Sequence, residues 1–210
     1  MRWWLLIPLA GSLWLIQWLG SDRPVFQPPG VLVSQTPQVR MVNTPRTWEI
    51  DDGLHFTSIG ELDVRARILS RNNVVVSSWK SISPVDLGLG WGQMSDSTIV
   101  DQIEFEQYSV AFGGTRFLWP RIRADSQIRT WPRKDLEVLF GQLTHVHAIA
   151  ADDTIARQLA RLRSGQVVEL DGQLVRINRP DGSLILNSST QLGDTDCEVM
   201  WVQSLRIVDA

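Results

Sequence analysis

The stretch GQVVELDGQLVRI, residues 165–177, admits two strand readings, and only one keeps its apolar residues together. If Asp171-Gly172 were a tight hairpin turn, Leu170 would oppose Gln173 and Glu169 would oppose Leu174, mixing the two faces. Read as one continuous strand, it places Val168, Leu170, Gly172 and Leu174 on a single face. A glycine inside a long strand marks a bulge or a sharp coil, the device by which a small sheet curls on itself. Pro180-Asp181-Gly182 then turns the chain into SLILNSS, and CEVMWVQSLRIV supplies a last strand. The expectation is a partly closed OB-like barrel in the C-terminal half.

Period-two alternation recurs upstream. In GELDVRARIL, Leu62, Val64, Ala66 and Ile68 alternate with Asp63, Arg65 and Arg67, which predicts a strand with one buried face. IEFEQYSVAF, Gly113-Gly114 and TRFLW read as a hairpin. Between these lies SPVDLGLGWGQMSDSTIVDQI, read as a glycine-rich loop leading to a short helix capped near Ser95 or Ser97. Trp131-Pro132 opens a helix over RKDLEVLF, which Gly141 ends. After a strand through GQLTHVHAIA, Asp152 or Asp153 caps a helix with the apolar stripe Ile155, Leu159 and Leu162, ending at Arg163 and Gly165. The class is therefore α+β: a mainly β domain over 48–210 with a few short helices, with a division into two subdomains near 125–131 as an alternative.

The opening MRWWLLIPLAGSLWLIQWLG has one charge, Arg2, before an apolar run from Trp3 to Leu19. That length reaches the lower end of what spans a bilayer, about 17 residues, and tryptophans stand at both ends, where indoles favour the headgroup layer. No small-x-small cleavage site follows in QWLGSDRP, so residues 1–20 read as an uncleaved transmembrane anchor rather than a removed signal. Residues 21–47 carry Pro24, Pro28, Pro29, Pro37 and Pro45 and read as an extended spacer lifting the domain off the bilayer. The expected location is the inner membrane of a bacterial envelope, single-pass, with the C-terminal domain outside the cytoplasm.

A net charge of -3 gives no basic surface for a phosphate backbone, so nucleic acid is not an expected partner. The single Cys197 excludes an internal disulfide and a thiolate metal cluster. Gly88, Gly90 and Gly92 lack the following Lys-Ser or Lys-Thr of a phosphate-binding loop, and no cofactor is expected. The three histidines include His145 and His147, which share one strand face, about 6–7 Å apart by strand geometry, and so form a metal half-site without an identified third ligand. The alternative is two structural histidines beside the core. A second chemical reading pairs His147 as base with Cys197 as nucleophile, but Cys197 is in phase with Val199 and Trp201, which predicts an inward, inert thiol. Arg157, Arg161 and Arg163 on the helix, and Trp91 in the glycine-rich run, are candidate partner-binding residues, against the plainer readings of a solvated face and a core indole.

Three segments resemble an uncharacterised family of bacterial membrane-anchored proteins: DLGLGWGQMSD (86–96), THVHAIAA (144–151) with LRSGQVVELDGQLV (162–175), and SSTQLGDTDCEV (188–199). The family pattern is similar to Ser-Asn-x-His-x-Ile-Pro-Ala. His147 matches it, whereas His145 stands at the Asn position and Ala150 at the Pro position. The last segment keeps Ser188, Ser189, Asp194, Thr195, Cys197 and Glu198 with a shorter loop. The resemblance implies an architecture and a membrane location but no activity, and it weakens a mechanism resting on His145. The resulting expectation is an envelope protein whose domain binds or assembles rather than catalyses, the alternative being a hydrolase using His145 and His147 with a metal or His147 with Cys197.

Overall fold

The computed structural model describes residues 23–50, 53–74, 82–109, 116–193 and 196–208. The expected anchor over 1–20, Trp79 and the turn at Gly113-Gly114 lie outside them. The strands are β1 (Gln38–Met41), β2 (Thr47–Ile50), β3 (Leu54–Asn73), β4 (Val85–Gly90), β5 (Ile103–Ser109), β6 (Arg116–Ile122), β7 (Leu143–Ala150), β8 (Val167–Asn178), β9 (Leu184–Asn187) and β10 (Cys197–Val208). Three short α-helices accompany them, α1 (Ser97–Val100), α2 (Arg133–Phe140) and α3 (Asp153–Leu159), with 3-10 turns at Gly92–Ser95 and Gln127–Thr130. The domain is mainly β. Among the described residues no helix is long and apolar enough to cross a membrane.

β5 and β6 form a separate antiparallel hairpin; the other strands share one sheet. Within that sheet the pairings run β3–β4–β7–β10–β8, and β8 pairs with β3 again. All are antiparallel except β7 with β10. The 20-residue β3 makes this possible, because Leu54–Arg67 lies against β8 while Arg67–Asn73 lies against β4. The pairings therefore draw β3 and β4 into the same sheet as the strands of the C-terminal half.

The inward side chains are those the alternation marks. Leu62, Val64, Ala66 and Ile68 of β3 meet Leu87 and Leu89 of β4, Val146 and Ala148 of β7, Val168, Leu170 and Leu174 of β8, and Met200 and Val202 of β10. Ile155 and Leu159 of α3, with Leu162, pack against the same cluster. At about 1.5–3 kcal/mol per fully buried aliphatic side chain, this interior is the main favourable term of the fold. β8 runs unbroken through Gly172, where a Cβ would overlap the Trp201 carbonyl of β10, and the pairing register shifts beside it between Val202 and Ser204. Here the glycine serves close approach of two strands in a coil, as the unbroken reading requires.

Four expectations need correction. VDLGLG is not loop but the fully buried strand β4, and its glycines admit neighbours: a Cβ on Gly88 would sit 2.6 Å from Ser70 Oγ and 2.9 Å from Leu118. The following helix is capped by Asp96, not Ser95 or Ser97, through Thr98 N–H. Helix α3 stops at Leu159, short of Gly165, because Arg71 donates to the Leu159 and Ala160 carbonyls and so satisfies the free end of the helix. Residues 24–41, read as spacer, lie along the domain. Val25 N–H bonds the Ser164 carbonyl, Leu32 and Val33 donate to Ser95 Oγ, Val33 packs with Trp91 and Val167, and β1 pairs with β3. That segment explains why Arg67 breaks the alternation: its face of β3 points away from the interior yet is covered, leaving the side chain 5% exposed. At the suggested subdomain division, Ile128 packs in one cluster with Leu69 of β3 and Leu143 of β7.

Candidate metal centre

β7 is buried on both faces. Val146 and Ala148 point into the interior, while Leu143, His145, His147 and Ile149 point outward and are covered there. Leu143 joins the cluster under the β5–β6 hairpin and α2, and Ile149 joins the one around Phe56 and Trp201. The two imidazoles thus occupy a polar gap between two apolar patches, 5% and 4% exposed. Their ring centroids are 4.8 Å apart with an edge-on tilt of 71°.

Strand register supplies the partners. On one side, β4 sets Asp86 opposite His147 and Gly88 opposite His145. On the other, the parallel strand β10 sets Cys197 beside His145 and Val199 beside His147. His147 Nδ1 lies 2.8 Å from Asp86 Oδ1, and His145 Nδ1 lies 3.1 Å from Cys197 Sγ. One ligand atom from each of His145, His147 and Cys197 can be chosen so that all lie within 4.8 Å of one another. The absence of a Cβ at Gly88 lets Leu118 of β6 close over the His145 end of the row.

A carboxylate behind an imidazole fixes its tautomer. With Nδ1–H donated to Asp86, the lone pair of His147 is at Nε2, the arrangement that orients metal-binding histidines. Two imidazoles and a thiolate are a ligand set for zinc or copper rather than magnesium or calcium. Metal–nitrogen and metal–sulfur bonds of about 2.1 and 2.3 Å put tetrahedral ligand atoms about 3.3–3.6 Å apart, so holding one ion would require side-chain rotations that close separations of up to 4.8 Å.

Above Cys197 and His145 opens a cavity of about 370 Å³ walled by Phe117, Leu118, Trp119, Pro120, Phe140 and Leu143, with Gly193 and Asp196 at one edge. Its walls are aromatic and aliphatic, and its polar groups gather at the thiol end, the character of a small-molecule site. Across β7 and β10 on the interior side, Thr144 Oγ1 donates to Glu198 Oε2, both residues being fully or nearly fully buried. Glu198 thus belongs to the opposite face and is no ligand candidate.

The sequence brought His145 and His147 together correctly but assigned Cys197 to the wrong partner. His147 faces Asp86 and Val199, and the thiol lies at His145, because the parallel register of β7 and β10 decides the pairing. Nor is Cys197 an inward, sealed thiol; it is half-exposed and lines the cavity. Asp86, inside the run read as a glycine-rich loop, is 1% exposed behind His147. Trp91 is 2% exposed against Val33 and Val167 and presents no surface to a partner. Arg157 and Arg161 are exposed and Arg163 half-buried. Trp119, an indole that the sequence offers as a possible contact residue, lines the cavity; the rest of its aromatic and aliphatic wall was missed, and the only sequence signal for Phe117 and Leu118 is the apolar alternation of TRFLW. Comparison of the chain with protein-family models, with curated proteins and with solved structures gives no match.

Proposed function

We propose that this chain is a membrane-anchored bacterial envelope protein whose OB-like, partly closed barrel binds one zinc-class ion through His145, His147 and Cys197. The pairing cycle β3–β4–β7–β10–β8, with its one parallel pair and a helix packed against the interior, supports the OB-like reading. The apolar run from Trp3 to Leu19 supports the anchor, and a reporter fused after Ala210 tests the side of the membrane on which the domain lies. The segments that carry the family resemblance contain Asp86, His147 and Cys197, while His145 stands where the family pattern has Asn, so the metal reading rests on the geometry and not on the resemblance.

The observation that carries the metal reading is the convergence of three ligand atoms from two strands, with Asp86 held against the far nitrogen of one imidazole. Three protein ligands would leave a fourth position on a zinc-class ion, and two of them, His145 and Cys197, line the aromatic cavity. This favours a bound ligand over the ion and, as a second reading, metal-assisted hydrolysis. Partner docking on Arg157, Arg161 and Arg163 is a further part of the proposal, tested by in-cell crosslinking of charge-reversed variants.

The experiment is Co(II) and Zn(II) titration of the purified full-length chain. One ion per chain, with a thiolate-to-Co(II) charge-transfer band that Cys197→Ser abolishes and His145→Ala shifts, is the expected result. Failure to compete with a weak chelator, or stoichiometric metal retained by the His145→Ala/His147→Ala double variant, would refute it. If metal binds, loss of turnover of an ester probe in Cys197→Ser separates the hydrolase from the binding module.

A further inference from the structure

Arg67 is a buried charged group outside the candidate metal centre. Its side chain leaves β3 on the outward face and is 5% exposed. One hydrogen bond holds it, from Nη1 to the Ser95 carbonyl at 3.2 Å. Its Nε is sealed from solvent and has no hydrogen-bond partner among the described residues. No carboxylate lies within ion-pair distance of it among the described residues; Asp101 and Asp96 act on it only at longer range, and Asp96 is engaged by Gly30 N–H, Thr98 N–H and Thr98 Oγ1. Burial draws the guanidinium below its ordinary range, and the fields of Asp101 and Asp96 only partly restore it. A buried cation with an unsatisfied donor is costly unless something completes it.

The group lines a cavity of about 770 Å³. One wall is the segment Pro24–Gln27, held down by Val25 N–H to Ser164 and Gln27 Nε2 to the Gly165 carbonyl. Gly165, at φ +89°, is required there, since a Cβ would overlap the Val25 carbonyl. Ile68, Leu69, Val100, Ile103 and Phe105 make much of the remaining wall apolar. The acids on the wall answer Arg67 only in part: Glu104 and Glu106 are bonded by Arg121, and Asp101, which acts on it through space, is exposed. Arg71 and Arg123 also line the cavity and are offset by the three acids Asp101, Glu104 and Glu106, so Arg67 is its one buried cation, and that balance with an apolar wall suits a monoanion better than a dianion.

We propose that this cavity binds an apolar monocarboxylate, its carboxylate on the Arg67 guanidinium and its hydrocarbon body along Ile103 and Phe105. Arginine presents a planar fork of donors that matches a carboxylate, and the volume lies within the range of small-ligand sites. The cavity is formed by residues other than those of the metal centre, so the two proposals stand or fall separately.

The test is titration of the full-length chain with octanoate, octanol and inorganic phosphate at matched ionic strength, followed by chemical shift and by thermal stability. The expected result is saturable octanoate binding about tenfold or more tighter than octanol, the ratio corresponding to a charged hydrogen bond made in a buried site. Arg67→Met should erase the preference for octanoate, and Arg67→Lys, which keeps the charge but not the fork, should reduce it. If Arg67→Met fails to fold, the octanoate-to-octanol ratio on the wild-type chain decides alone. Equal binding of octanoate and octanol, no saturable binding of either, or tighter binding of phosphate than of octanoate would each overturn the proposal.

Discussion

Asp86 and His147 stand 61 residues apart in sequence and 2.8 Å apart in space, one on β4 and one on β7, with side chains 1% and 5% exposed. A carboxylate so placed orients the ring and leaves the other nitrogen to face a ligand. Asp86→Asn keeps a hydrogen-bonding oxygen but removes the charge. Metal affinity is expected to fall about 10–100-fold with the ligand set intact, as measured by competition against a chelator of known affinity.

Gly172 and Gly182 separate two reasons for a glycine. At Gly172 an added methyl would overlap backbone, the Trp201 carbonyl, while at Gly182, φ +83°, it would meet nothing within 4 Å. Gly172→Ala is therefore expected to cost about 3 kcal/mol, the upper end for forced overpacking, because a strand must move. Gly182→Ala should cost only the conformational strain, about 1 kcal/mol. Urea unfolding of both variants checks the contrast.

Asp96 caps α1 and also accepts the Gly30 N–H, so one carboxylate joins the helix start to the covering segment. Its burial pulls the pKa upward, but the hydrogen bonds from Gly30 and Thr98 and the charge of Arg67 outweigh this, and the carboxyl lies below its ordinary range. The folded state thus favours the ionised form. Its contribution is complete above the unfolded value, about pH 4, and is lost as pH falls below that through the folded pKa. Asp96→Ala is expected to cost about 1 kcal/mol at neutral pH, with the gap to wild type closing only in acid, as read from unfolding at pH 7, 5 and 3.

Thr144 Oγ1 donates to the Glu198 carboxylate inside the strand cycle. Thr144→Val preserves shape and withdraws a donor from a 0% exposed acid. A loss of about 1–3 kcal/mol is expected by thermal unfolding, and Thr144→Ser should recover most of it.

What could be read beforehand follows from locality. The strand through Gly172, helix α2 and the cap at Asp152 depend on neighbours within a few residues, and they form where the pattern puts them. β4 was misread because Gly88 and Gly90 resemble loop glycines, whereas their reason is the approach of Leu118, Ser70 and Leu69, side chains far away in the chain. Arg67 was misread because alternation tells which side of a strand a residue takes and not what later covers that side. The metal centre was half legible for the same cause. That His145 and His147 share a face is a property of one strand; that Cys197 joins His145 and Asp86 joins His147 is a property of two registers, β7 with β10 and β7 with β4.

The single parallel pairing has a kinetic consequence. β7 and β10 cannot meet through a tight turn, so α3, β8 and β9 must be threaded between them before the thiol reaches its imidazole. β8 in turn needs β3, with His55 paired to Asn178 across most of the domain. Contacts this distant in sequence form slowly. Until β10 docks, Cys197 is an uncovered thiol with no imidazole beside it, and the growing chain is most vulnerable to oxidation in that interval. An ion that ties Cys197 to His145 would therefore act first as a clamp on the last strand to arrive.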